Sequence, residues 1–390
     1  MNGFDLSTIS GLYVGSTPYS AIYKGSVKIW EANPDYSLEY FTIESLEDNN
    51  AIHIYGALGS GQPASSSLGT VAVWYYSTDK VNWTEFNVRN STQYYNTNFI
   101  TLNKNQKVYL KTTSQFYKTG IINTQDRSTY QYNYFGATKN FKVYGNIMSL
   151  CYGDNFINQT TLPWTYTFYY LFRNCTTLVD IYNLILPATT LTDYCYDSMF
   201  YGCTSLTSAP ELPATTLTNH CYSSMFRGCT SLTAAPELPA TTLANYCYYF
   251  MFIECTSLTS APELPATTLA NHCYFGMFQS CTSLTAAPEL PATTLDNYCY
   301  QSMFYGCTSL TSAPELPATT LVLNCYRVMF YNCTLLNYVK CLATNISATN
   351  CTNNWLNNVA STGTFVKAAS MTGWTTGANG IPSGWTVTTI

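Results

Sequence analysis

The chain has 390 residues, 46% of them hydrophobic and only 9% charged, with a net charge of -5 and a pI near 5.2. That is enough apolar material for two or three folded domains. The acidic balance leaves no basic surface for a phosphate backbone, which argues against a nucleic-acid partner.

Polarity comes from Thr, Ser, Asn and 35 Tyr, a composition common on adhesive surfaces because Tyr offers apolar area and a hydroxyl together. No run of about 18 apolar residues is present, so membrane insertion is not expected. The start, Met1-Asn-Gly-Phe-Asp-Leu, has neither a basic n-region nor an apolar h-region. A chain made and left in a cytoplasm is the expectation.

In chain order, residues 1–34 carry two Gly-Ser turns, at Gly15 and Gly25, flanked by Tyr, Val and Ile. They read as two small hairpins, too short to bury a core alone and therefore a candidate attachment stub. Residues 35–146 change to short alternating strands: Val71–Tyr76, a turn at Ser77–Lys80, Val81–Phe86, then Phe99–Leu102, Val108–Thr112 and Phe141–Tyr144. Strands punctuated this often predict an antiparallel sandwich. Residues 147 to about 165 are a junction.

From there the chain repeats itself. Met199, Met225, Met251, Met277, Met303 and Met329 are each 26 residues apart, the signature of a solenoid of about seven to eight rungs over 147–356. Within one rung, Cys221, Met225 and Cys229 at i, i+4 and i+8, after Asn219 and before Gly228, predict a short helix with a left-handed C-cap. The rungs holding Ser280 and Glu254 at the Gly228 position fit that cap less easily. Pro236 and Pro239 lack N–H groups, so the strand leg must be short and end near Ala235. Past Trp355 the pattern fades into residues 357–390, read as an atypical terminal cap.

Twelve of the sixteen cysteines form six pairs eight residues apart within the array. An earlier, divergent rung has Thr167 where a cysteine should be. A column that accepts Thr behaves as a small buried side chain, favouring free buried thiols over disulfides.

The run Phe226-Arg-Gly-Cys229-Thr-Ser-Leu232, followed by Pro236, resembles the BspA-type leucine-rich repeats of bacterial surface proteins, over about half the chain. That resemblance implies a right-handed horseshoe or straight solenoid that binds rather than catalyses. The family includes many gut bacterial and bacteriophage proteins. The hairpin from Ser77 to Trp83 is similar to those of immunoglobulin-like modules. The segment from Tyr13 to Trp30 resembles the start of virion-associated proteins from phages of gut Bacteroidales. Together these imply a phage structural and adhesion protein located in the virion, with residues 1–34 meeting other virion proteins and the solenoid meeting a host surface protein or glycan. A bacterial BspA-like adhesin at the cell surface or outside the cell is the alternative, and a homo-oligomer stays open.

Variation between rungs points to where a ligand would bind. The residues flanking each Met change most, and Tyr249, Phe250, Ile253 and Phe275 are expected to form an exposed apolar cluster, with Tyr201, Arg227, Gln279 and Tyr305 on the same outer face. A drifting solvated face, or packing against another copy, is the plainer alternative. Glu211, Glu237, Glu263, Glu289 and Glu315 form a column at rung spacing, read as a solvated stripe before a cation site. His220 and His272 share a column with Tyr194, Tyr246 and Tyr298 and read as interchangeable surface aromatics. No nucleophile elbow, metal-binding helix, phosphate loop or Cys-x-x-Cys spacing occurs, so neither an enzyme nor a cofactor is expected.

Overall fold

A computed structural model describes residues 35–58, 73–87, 99–112 and 131–390, together with short strands between 13 and 31. These first strands are β1 (Tyr13–Val14) with β2 (Thr17–Pro18), and β3 (Ala21–Lys24) with β4 (Val27–Glu31). Both pairs are antiparallel. The rest of the stub lies outside the described residues.

The next eight strands are β5 (Phe41–Ser45), β6 (Asn50–Leu58), β7 (Val73–Ser77), β8 (Thr84–Asn87), β9 (Phe99–Leu102), β10 (Lys107–Thr112), β11 (Gln131–Ala137) and β12 (Phe141–Asn146). One sheet runs β12-β5-β10-β7-β8 and a second runs β11-β6-β9. They face each other across Phe41, Trp74 and Phe135, whose rings meet at 5.4 and 5.5 Å. The strand expected from Val81 starts later, at Thr84. Asp79 Oδ1 accepts from the N–H groups of Val81 and Asn82, which prolongs the turn and leaves Val81 exposed. Residues 71 and 72 of the predicted Val71–Tyr76 strand lie outside the described residues.

On its other edge β12 pairs in parallel with β13 (Leu178–Asp180) and β14 (Leu184–Ile185), the first strands of the repeats, so the first sheet continues into them. A four-residue helix, Ser149–Tyr152, fills the junction. Phe172 packs 5.3 Å from Phe135, so the core of the two sheets runs into the core of the repeats without a break.

Beyond Cys175 the repeats stack at 26-residue spacing, and the predicted helix is not there. Its place is taken by a run of overlapping turns. In residues 220–229 the N–H groups alternate. Cys221, Ser223, Met225, Arg227 and Cys229 donate to the carbonyl three residues back, while His220, Tyr222, Ser224, Phe226 and Gly228 donate to carbonyls of the next repeat. Every N–H is used, half along the chain and half along the stack. An α-helix is about 10–12 Å across with its side chains and cannot repeat at the spacing seen here, where Tyr222 and Tyr248 stack at 5.9 Å and Phe226 and Phe252 at 5.6 Å. Three of every ten or so residues in the run take positive φ: His220 at 56°, Ser224 at 52° and Gly228 at 71°. The left-handed residue read as a helix cap is the last of that series, and Glu254 (64°) and Ser280 (60°) adopt it as Gly does.

Met225, Cys221 and Cys229 do share one buried face, because a run of turns with a four-residue period puts them there as a helix would. All sixteen cysteines are buried and free, and Thr167 is buried in the divergent first repeat. Cys229 Sγ lies 3.2 Å from the carbonyl of Phe200, and Cys255 repeats this on Phe226 at 3.1 Å.

After β14, the parallel strands among the described residues are β15 (Ser312–Leu316), β16 (Tyr338–Cys341), β17 (Gly363–Lys367) and β18 (Trp385–Thr389), a β-solenoid across 312–389. Proline is the reason. In earlier repeats the same leg carries two prolines and makes single bridges, such as Ala234 to Ser260 and Ser260 to Ala286. β16 to β18 have none, and the one register shift lies between Ser312 and Glu315, at Pro314. The segment after 357, expected as a fading cap, therefore contains the most regular strands of the stack. Trp355 stacks on Tyr326 at 6.1 Å and Trp374 on Trp355 at 5.4 Å, closing the aromatic column.

Candidate recognition surface

The outer side of the turn run carries a column of rings. Tyr166, Tyr194, His220, Tyr246, His272 and Tyr298 stack face to face with centroids 4.3–4.6 Å apart. His220 and His272 thus occupy the places of tyrosines, as their shared register implies. Burial holds the His272 imidazole below its ordinary pKa.

Against this column, on the middle repeats, lies a cluster built on Tyr249. Its ring sits 4.3 Å from Phe250, 5.0 Å from Phe275 and 5.5 Å from Tyr246, and Phe250 meets Phe275 edge-on at 5.2 Å. All are half-buried. The platform is made possible by Gly276: a Cβ there would fall 2.2 Å from Phe250 Cε1, so the missing side chain is the bed for that ring. Phe250 itself has φ of 53°. No other repeat puts an aromatic residue at its position together with a Gly one repeat later.

Ile253 does not join this surface. It is buried, at 4% exposure. Its column places it between the long Arg227 and Gln279 side chains of neighbouring repeats, and a bare aliphatic group there is driven against the stack rather than into water. Arg227 lies beside the platform, 6.0 Å from the Phe250 ring centroid and 5.3 Å from that of Tyr201, with Glu254 3.9 Å from its Nε. Arg173 covers the other side of Tyr201 at 5.5 Å. Arg173, Tyr201, Arg227 and Phe250 are therefore one ladder of alternating guanidinium and ring. Sequence reasoning missed Arg173 because the Met that marks the other repeats is Leu171 in its own. Gln279 lies beside Gly276, and Tyr305 stands apart, stacked on Tyr331 at 5.0 Å.

The five glutamates are exposed, and Glu315 meets Lys340 at 2.7 Å. Between their prolines lie shallow hollows, one of about 470 Å³ beside Glu289 and Glu315. Among the described residues no group of three or more His, Cys, Asp or Glu is placed to hold a metal ion, and no helix is long and apolar enough to cross a membrane. Desolvation raises the thiol pKa values far above the ordinary range, to about 12 at Cys195 and Cys247, so these sulfurs are packing atoms in the folded chain rather than nucleophiles.

No protein-family model, curated protein or solved structure matches the chain, so its function rests on the geometry of these residues.

Proposed function

We propose that the chain is a non-enzymatic adhesion protein that presents the Tyr249 platform to a host surface protein or glycan, as a structural component of a bacteriophage virion. The platform carries this reading. Tyr246, Tyr249, Phe250, His272 and Phe275 gather half-exposed ring surface on two adjacent repeats, and Gly276 is shaped to hold it. Drift on a solvated face gives no reason for a ring and its bed to occur together. Rings of this kind, beside a guanidinium, are the groups that dominate binding at recognition surfaces.

The stacked repeats are read as leucine-rich repeats of the BspA type, and the two facing sheets as an immunoglobulin-like spacer. The first 34 residues attach the protein to its assembly. The 26-residue period and the Phe-x-x-Cys-x-x-Leu run support the first of these readings, and the Ser77–Trp83 turn the second. Mass spectrometry of purified phage particles and of bacterial envelopes separates the virion protein from a cell-surface adhesin. The chain is expected in the particles, and recovery from envelopes alone would overturn that location.

A further inference from the structure

Charge is scarce in this chain, yet it gathers at one place. A cavity of about 430 Å³ opens on the outer face of the first sheet, beside β13, and five of its ten lining residues are charged against 9% in the whole chain. The register of four adjacent strands explains how. Lys107 on β10 and Lys142 on β12 both stand opposite Glu44 on β5, and Lys142 also stands opposite Asp180 on β13. The result is a row of alternating sign across the sheet. Glu44 is buried at its centre, 3.6 Å from Lys107 and 3.0 Å from Lys142, and accepts a hydrogen bond from the Tyr144 hydroxyl at 3.1 Å.

Two residues along, the same face carries Tyr109 and Tyr144 on either side of Thr42, and Tyr36 meets Tyr144 edge-on at 5.2 Å. Cross-strand ion pairs account for the row at Glu44. They do not account for the walls. Among the described residues, Asp180 Oδ2, the Asn183 side-chain amide and the hydroxyls of Tyr36 and Tyr109 have no hydrogen-bond partner, although all four residues line the cavity. Asp180 Oδ1, by contrast, accepts from Ser208 Oγ and Tyr182 N, which fixes the direction of the carboxylate.

We propose that this cavity binds an uncharged saccharide of one or two residues. Three carboxylates are offset by Lys107, Lys142 and the Lys80 ammonium held on Glu39 at 2.6 Å, so neither an anion nor a cation is favoured. The free groups on the walls mix acceptor, amide and hydroxyl. Hydroxyls match such a set because each one donates and accepts. The tyrosine rings supply flat apolar surface for the C–H face of a pyranose. The cavity lies where two parts of the fold meet, a usual place for a ligand site, and none of the outer ring residues of the repeats belongs to it.

The test is saturation-transfer NMR on the full chain with a panel of neutral disaccharides: maltose, cellobiose, lactose and N-acetyllactosamine. Transfer to at least one sugar is expected. It should fall about tenfold in Tyr109→Ala and in Asp180→Asn, and stay unchanged in Glu237→Gln, an exposed residue away from the cavity. Circular dichroism melts of each variant identify any loss caused by misfolding, and Tyr109→Phe, which keeps the ring, should retain part of the signal. No transfer from any sugar of the panel would overturn the proposal. So would transfer that persists in both folded cavity variants.

Discussion

Ser280 holds its backbone at φ 60° where three other repeats place glycine. A left-handed conformation costs a non-glycine residue roughly 1–2 kcal/mol, and glycine recovers part of that while adding freedom to the unfolded chain. Ser280→Gly is therefore expected to stabilise the protein by about 0.5–1 kcal/mol, read as a raised denaturation midpoint. The opposite substitution acts on the platform. Gly276→Ala places a methyl carbon where Phe250 lies, and should displace that ring and lower ligand binding more than it lowers stability. The thiols give a third test. Their folded pKa values are raised from an ordinary 9.0 to about 12 at Cys195, Cys247 and Cys255. A raised pKa in the folded state means that stability is intact below pH 9 and is lost as pH climbs toward 12, because only the unfolded chain ionises in that window. Thermal melts between pH 8 and 11 should show this fall, and a thiol reagent at pH 8 should label essentially none of the sixteen cysteines before unfolding.

At the scale of the element, the sequence pattern was read correctly as to which residues are buried and wrongly as to the backbone that buries them. Cys221, Met225 and Cys229 recur every four residues, and that spacing suits an α-helix and a run of overlapping turns equally. What separates the two is the distance to the neighbouring repeat, which no single rung reveals. Strand positions fared similarly. β9, β10 and β12 were legible from alternation; β5 was missed although Phe41 and Ile43 alternate with Thr42 and Glu44. Pro236 and Pro262 marked where pairing stops in their repeats, but β15 continues past the equivalent Pro314 to Leu316, and the regular strands after 357 carry no repeat motif and were missed. The stacked ring columns make a further prediction. Phe252 lies between Phe226 and Phe278, at 5.6 and 5.7 Å, with no exposed surface. Phe252→Ala should cost about 3–5 kcal/mol in chemical denaturation, since neighbours on both sides are held by their own repeats and cannot close the cavity.

For the whole molecule, the continuous core means that the two sheets support the first repeats and the last tryptophans close the far end of the aromatic column. The residues flanking each Met differ from repeat to repeat, and on the middle repeats they build the ring cluster. Of that cluster, Tyr249, Phe250 and Phe275 were legible because they depart from their columns. Ile253 was misplaced because exposure depends on the length of side chains one repeat away, and Tyr246 and His272 were left out because they conform to theirs. The proposed function puts this cluster in contact with the host surface. The measurement that tests it most directly is binding of the labelled full chain to isolated envelopes of gut Bacteroidales, wild type against Tyr249→Ser/Phe250→Ser, with Glu237→Gln as a control on the glutamate stripe. Recognition through the platform requires affinity to fall about tenfold or more in the double variant and to hold in the control, with melting of both close to wild type. Equal binding by a folded double variant would contradict it.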